Sequence, residues 1–280
     1  MVVVAAAATM AAAAPAAPAA TATIPLAGAD IVRSGRLAFA AHGHEVAAEL
    51  ARVDALGQAE VTAVAGGRER ALDMAHLAFM VAREGSAATH RVVLAVNTRT
   101  GAVRGTVHLA GGLAGLAIAP APGAANGTTA HTVRLEHNGN GTVPGQPPVG
   151  CGGMPVPEAV AATARRRRDA KYVLGRNYCN MKLVADYRFF SEAADSSEEL
   201  AVSKMIESAL YANDVLSRTS FQTMQTGRLQ LQVRAVQVYT EDNDPFTSSA
   251  AGTPANPQAL LDRISLVDFR AYCLVGVTAP

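Results

Sequence analysis

Residues 179–190 read CNMKLVADYRFF, and the class of the back half of the chain turns on that run. Its valine and aromatic side chains suit a pleated, half-buried surface, so a strand is expected there. Further on, Ser196 and Glu199 fit a capping box, in which a hydroxyl and a carboxylate satisfy the free N–H groups at a helix start. The helix is predicted to run to about Thr219, with Val202, Met205, Ile206, Ala209, Ala212 and Leu216 on its apolar face at three- and four-residue steps. RLQLQVRAVQVYT (228–240) alternates as a strand, a polar loop follows, a second helix is expected from about Pro257 to Arg270, and YCLVGVT (272–278) reads as a third strand. Strands alternating with helices, β-α-β-α-β, imply an α/β unit with a mostly parallel sheet covered on its faces.

The front half is less regular. GRLAFAAHGHEVAAEL (35–50) alternates and then turns helix-like, RALDMAHLAFMVAREG (70–85) looks helical around Ala71–Arg83, and HRVVLAVNTRTGAVRGTVHLA (90–110) reads as two strands around a turn. Residues 109–150 are rich in Gly, Pro, Ala and Asn and are expected to be loop, with GGLAGLAIAP (111–120) read as an Ala/Gly linker. An α+β, loop-rich unit ahead of the α/β unit is the expectation. PEAVAATARRRR (157–168) is a candidate short helix, with proline at its first position and cations at its C-terminal end.

Composition narrows the function classes. The 280 residues carry a net charge of +1, which gives no footing for nucleic acid or an acidic membrane as partner. The halves differ: residues 1–168 hold 14 arginines, no lysine and 10 acidic residues, whereas residues 169–280 hold 10 basic and 13 acidic ones. With no Trp and 5% aromatics, the core must be aliphatic. Residues 1–22 are apolar and uncharged, so they read either as a cleavable signal or as a disordered Ala/Pro tract. Pro15 and Pro18 make the tract a poor membrane anchor, and no other stretch looks transmembrane.

Between the halves lie the residues with chemistry. Arg165-Arg166-Arg167-Arg168 satisfies Arg-x-Lys/Arg-Arg, the signal of furin-like convertases, and reads equally as a solvated charge run or a nuclear signal. Cys151 sits between glycines, which let the backbone approach another surface closely. Its thiolate is a candidate zinc ligand, and the alternatives are an ordinary loop thiol or half of a disulfide. Cys179 opens the first back-half strand and Cys273 the third, close enough in a parallel sheet to bridge or to remain as two free thiols. Asn126-Gly-Thr and Asn140-Gly-Thr are sequons usable in the secretory pathway. His44-Glu45-Val46-Ala47-Ala48 begins like a zinc helix but lacks the second histidine, and no histidine follows Arg168.

Taken in order, these motifs resemble the pro-to-catalytic junction of the ADAM family of zinc metalloproteases (metzincins), in its tumour-necrosis-factor-converting-enzyme-like branch. Pro148-Val149-Gly150-Cys151-Gly152 resembles the family's cysteine switch, and Arg165–Arg168 its convertase site. NYCNMKLVADYRFF, ANDVLSRTSF (212–221), LQVRAVQVYTE and LLDRISLVDFRAYCLVGVT resemble successive strands and helices of the catalytic domain's first part. The resemblance covers about 130 residues, from Pro148 onward.

It implies residues 23–168 as a prodomain, residues 169–280 as the N-terminal part of a catalytic domain with a metzincin-like sheet, and a Cys179–Cys273 disulfide. It also implies Cys151 as an inhibitory zinc ligand, activation by a furin-like convertase cutting between Arg168 and Asp169, and membrane-protein ectodomains as substrates. Passage through the secretory pathway follows, ending at the cell surface or in secretion. The family's H-E-x-x-H-x-x-G-x-x-H motif does not occur in the 280 residues, so this chain is expected to be inactive as a peptidase. The second reading is a non-enzymatic secreted isoform whose prosegment binds and inhibits an intact protease.

Overall fold

The computed structural model describes residues 21–83, 91–109, 114–123, 129–137, 177–218, 229–242 and 274–278. Strand dominates them. Eight front-half strands form one antiparallel sheet: β1 (Thr21–Pro25), β2 (Arg36–Ala41), β3 (His44–Val53), β6 (Leu77–Ala82), β7 (Arg91–Asn97), β8 (Val103–His108), β9 (Ala114–Pro120) and β10 (Ala130–His137). Their order is β1-β10-β9-β8-β7-β6-β3-β2. The sheet curls until its two edges approach, and His42, in the β2–β3 turn, reaches Val133 O on β10 through Nε2 at 2.9 Å. A short helix, α1 (Gly28–Ser34), connects β1 to β2.

The expected architecture, a mostly parallel α/β unit behind a loop-rich α+β unit, is therefore wrong for the chain as a whole. Three local misreadings account for it. Residues 35–50 are a hairpin and not a strand leading into a helix. His42 and Gly43 both take positive φ, 51° and 76°, the backbone of a tight two-residue turn that matches strand twist. Residues 71–83 contain β6, where Leu77, Ala78, Phe79 and Met80 are all buried. A strand buried on both faces shows a continuous apolar run, which periodicity cannot separate from a buried helix. The supposed linker 111–120 contains β9, whose Leu116 and Ile118 point into the core.

The barrel-like sheet packs its interior with Leu37, Val46, Leu50, Met80, Leu94, Val107, Leu116 and Val133, among others. Leu94 on β7 sits opposite Gly105 on β8. Gly105 has φ 139°, and a Cβ there would lie 2.1 Å from Val93 O, so the two strands approach where a side chain has no room.

The second sheet has five strands in the order β13-β11-β12-β4-β5, with β11 (Asn177–Ala185), β12 (Leu229–Tyr239) and β13 (Leu274–Thr278) from the back half. β11 pairs in parallel with both β12 and β13. The remaining two strands come from the front half. β4 (Glu60–Ala65) lies parallel to β12, from Glu60 beside Ala235 to Val64 beside Tyr239, and β5 (Arg68–Ala71) is its hairpin partner.

Helix α2 (Glu198–Arg218) packs on this sheet. Val202, Met205, Ile206 and Ala209 are buried in the sheet's core, with Ala212 and Leu216 packed against it, the face the sequence periodicity picks out. The cap differs from expectation. Ser197, not Ser196, caps the helix, its Oγ accepting from Leu200 N–H at 3.2 Å, and Glu199 turns away toward the front half. After β11 the backbone enters a π turn, Phe189–Ala193, where a continuing strand is expected, because Asp186 accepts from Phe189 N–H at 2.7 Å and curls the chain. The helix expected at 257–270 lies outside the described residues.

Candidate functional site at the junction of the two halves

Most of the residues singled out in the sequence fall outside the described residues: Cys151, the arginine run Arg165 to Arg168 with Asp169, Cys273, and the sequon asparagines Asn126 and Asn140. Cys179 is described. It stands at the start of β11, partly buried against the second core, and it is disulfide-bonded. Its partner lies outside the described residues. The register of β13 sets Leu274 beside Met181, two positions past Cys179, and Cys273 immediately precedes Leu274 in sequence.

His44 and Glu45 open β3, both exposed on a strand, so they lack the helical geometry of the motif they begin. Among the described residues no group of three or more His, Cys, Asp or Glu side chains is placed to hold a metal ion. No described helix is long and apolar enough to cross a membrane.

What the structure does bring together is the seam between halves, formed, apart from the expected capping residue Glu199, by residues to which the sequence assigns no role. Glu199 of α2 is gripped by two front-half groups: Asn97 donates to its Oε1 at 2.8 Å, and His76 Nε2 lies 3.0 Å from its Oε2. Asn97 is held for this task, since its Oδ1 accepts from Arg99 N–H at 2.9 Å and Thr100 N–H at 3.0 Å at the β7–β8 turn. Beside these groups, Leu77 and Phe79 of β6 and Ala95 of β7 contribute apolar atoms to the second core. At the far end of α2, the Tyr211 ring stacks on His108 of β8 with centroids 4.4 Å apart, and Asp214 pairs with Arg91 of β7 at 3.2 Å.

The sheet edge carries its own ties. Gln237 of β12 donates to Glu69 at 2.9 Å, and Gly66 N–H, in the β4–β5 turn, donates to Glu241 at 2.7 Å. Arg234 of β12 bonds Gln58, and Arg70 of β5 bonds Glu198. Asn213 fastens α2 to the same strand, donating to Leu231 O at 2.8 Å and accepting from Leu231 N–H at 2.6 Å.

Three titratable groups of α2 and the barrel strands are perturbed. Burial raises the Glu207 carboxyl to about 7, with Lys204 and Arg104 pulling the other way. Burial lowers His108, and Arg91 adds to that, while Asp214 and Glu136 oppose it. His131, fully buried in the barrel, is lowered by burial, with its bond to Thr129 O acting against the shift. Its Nδ1–H donates to Thr129 O at 2.8 Å and its Nε2 accepts from Val103 N–H at 2.9 Å, an arrangement that requires the neutral ring.

No known protein-family profile and no curated protein matches this chain.

The seam residues were legible only in part. Glu199, Ser203, Glu207, Tyr211 and Asp214 recur at three- and four-residue steps on α2, opposite its apolar face. That pattern usually marks a solvated face. Nothing local says that a second layer covers it.

Proposed function

We propose that the chain is the zymogen portion of a zinc-dependent metalloendopeptidase of the ADAM type, an ectodomain sheddase held latent through Cys151 and activated by cleavage after Arg168. The observation that carries this reading is the position of the Arg165–Arg168 run. It falls in the connection between β10, the last strand of the barrel, and β11, the first back-half strand of the second sheet, so one cut there divides the barrel from the back half. Clustered arginines suit the acidic subsites of a convertase, and a connection between two folded layers is where such an enzyme needs its substrate. The disulfide at Cys179 supports passage through an oxidising compartment, where structural disulfides persist. The placement of β13 supports Cys273 as its partner.

In this reading Cys151 is the one residue of the chain that would hold the family's zinc, as an inhibitory thiolate. The ligand motif of the active enzyme does not occur in the 280 residues, and the described residues supply no substitute, so no hydrolytic step is assigned to them.

The second reading, a non-enzymatic secreted isoform whose prosegment inhibits an intact protease, is favoured by the β4–β5 hairpin. A front-half strand that adds to the edge of a back-half sheet has the geometry by which a separate prosegment could bind another molecule.

Expression in secreting cells tests the first reading. A product beginning at Asp169 is expected from the wild-type chain and not from Arg168→Ala; persistence of that product in the variant would reject the site. Thiol labelling of the non-reduced chain is expected to modify Cys151 and spare Cys179 and Cys273, and equal labelling of all three refutes the pairing.

A further inference from the structure

A cleft of about 190 Å³ lies where the β3–β4 connection of the front half passes the first residues of β11 and β12. Its floor is apolar, made by Ile206 and Ala209 of α2 and Leu231 of β12, all buried. Its walls are polar and come from both halves: Asp54 and Gln58 from the front, Tyr178, Asn213, Gln230 and Gln232 from the back. Two of these are fixed in place. Asn213 is committed to the N–H and C=O of Leu231, at 2.6 and 2.8 Å. Gln58 Oε1 accepts from Arg234, which leaves the Gln58 amide N–H groups uncommitted. Among the described residues, the Tyr178 hydroxyl, the Gln230 and Gln232 amides and the Asp54 carboxylate make no hydrogen bond. Tyr178 is 56% exposed, an unusual place for a large ring unless something covers it. Gly57 makes room for Asp54, since a Cβ at that position would collide with both carboxylate oxygens.

We propose that this cleft binds a neutral sugar ring, held by side chains of both halves at once. The lining selects the class of ligand. A hydroxyl donates and accepts together, and side-chain amides offer both roles, while a carboxylate accepts from two hydroxyls. The apolar C–H face of a pyranose needs a flat apolar partner, which the exposed Tyr178 ring supplies beside its polar hydroxyl. A small cleft with an apolar floor and a few convergent polar groups orients a compact ligand, and this one has room for a single ring. Other classes fit less well. An anion finds no cation among the described lining residues, because Arg234 stands outside the lining and bonds Gln58 and Asn180. An apolar ligand would strip water from the amides and the carboxylate without replacing it. An ammonium would find one carboxylate and one ring, not an aromatic cage. Because Asp54 and Gln58 come from the front half and the other groups from the back, occupancy favours the joined chain by mass action. The inference uses no element of the protease reading and survives that reading's failure.

The test uses the full chain, labelled with 15N at glutamine side chains and titrated by NMR with glucose, mannose, galactose and N-acetylglucosamine in turn. At least one of the four is expected to shift the Gln58, Gln230 and Gln232 amides together, with a Kd on the order of 1 mM. Tyr178→Ala is expected to weaken that sugar about tenfold by removing the ring it stacks on. Gly57→Ala, which displaces only the end of the Asp54 side chain, is expected to weaken it as well while leaving the unfolding midpoint in place. Should Tyr178→Ala not fold, Gly57→Ala carries the test alone. The proposal is overturned if none of the four sugars moves these amides, if a sugar moves other glutamines and not these, or if the folded variants bind as wild type does.

Discussion

The two sheets of this protein are built by opposite strategies. The eight-stranded sheet is supplied wholly by the front half: its strands lie between Thr21 and His137, and its core residues between Ala22 and Leu135. Curling until its edges approach also hides most of its backbone donors and acceptors from other chains. The five-stranded sheet is not self-sufficient. It borrows β4 and β5, and its core takes Val61, Leu77, Phe79 and Ala95 from the front half. The lesson is that the boundary suggested by the arginine run is a boundary along the chain, not through the core.

β6 shows the same point at single-residue scale. Ala78 and Met80 face the barrel interior, while Leu77 and Phe79 face the second core. Phe79→Ala and Met80→Ala thus strike different cores from adjacent positions. Phe79→Ala is expected to cost about 3–5 kcal/mol and Met80→Ala about 2–5 kcal/mol. Amide hydrogen exchange separates them: the first should loosen β11 and β12 and the second β9 and β10. Indistinguishable patterns would erase the distinction between cores.

Gly105→Ala probes the barrel alone. The new methyl would meet Val93 O at a backbone φ that side chains rarely adopt, so a loss of about 1–3 kcal/mol is expected by urea denaturation. The loss should appear in β7 and β8 before it appears in β12.

A pH series sharpens the contrast further, because the barrel's titrating group is His131. Its folded value is depressed, so above its ordinary 6.5 it is neutral in both states and its contribution is complete. As pH falls below 6.5 the unfolded chain takes up a proton that the folded ring refuses, and stability is lost. The advantage of wild type over His131→Gln is therefore expected to shrink as pH drops from 7 to 5. An advantage that grows in acid would contradict the neutral ring.

The smallest effect belongs to Arg70→Ala. This front-to-back ion pair has its arginine 64% exposed, and exposed pairs contribute about 0–1 kcal/mol. A larger loss in thermal unfolding would mean that the rim, and not the shared core and strand, joins the halves.

What the sequence made legible follows from these differences. The apolar face of α2 and the strands β11, β12 and β8 carry their period openly, because each has one face in a core and side chains large enough to show it, whereas β7, buried on both faces, shows itself by its valine-rich run before a turn. β6 hides its period by being buried on both sides. β9 hides it because only Leu116 and Ile118 are large, and alanine, glycine and proline fill its other positions. The parallel pairing of β4 with β12 joins residues some 175 positions apart and leaves no local trace. The polar line on α2 has the spacing of an exposed face, and only the barrel above it makes it a seam.

The central claim is that the halves share one sheet and one core, and cutting the connection tests it most directly. A cleavage sequence for a site-specific protease is placed within residues 152–176 of a Cys151→Ser chain, so that no disulfide spans the cut. The folded protein is digested and passed over a size-exclusion column without denaturant. The account predicts that both pieces elute together at the mass of the intact chain with the far-UV spectrum unchanged. Two separate peaks, each retaining its secondary structure, would contradict it.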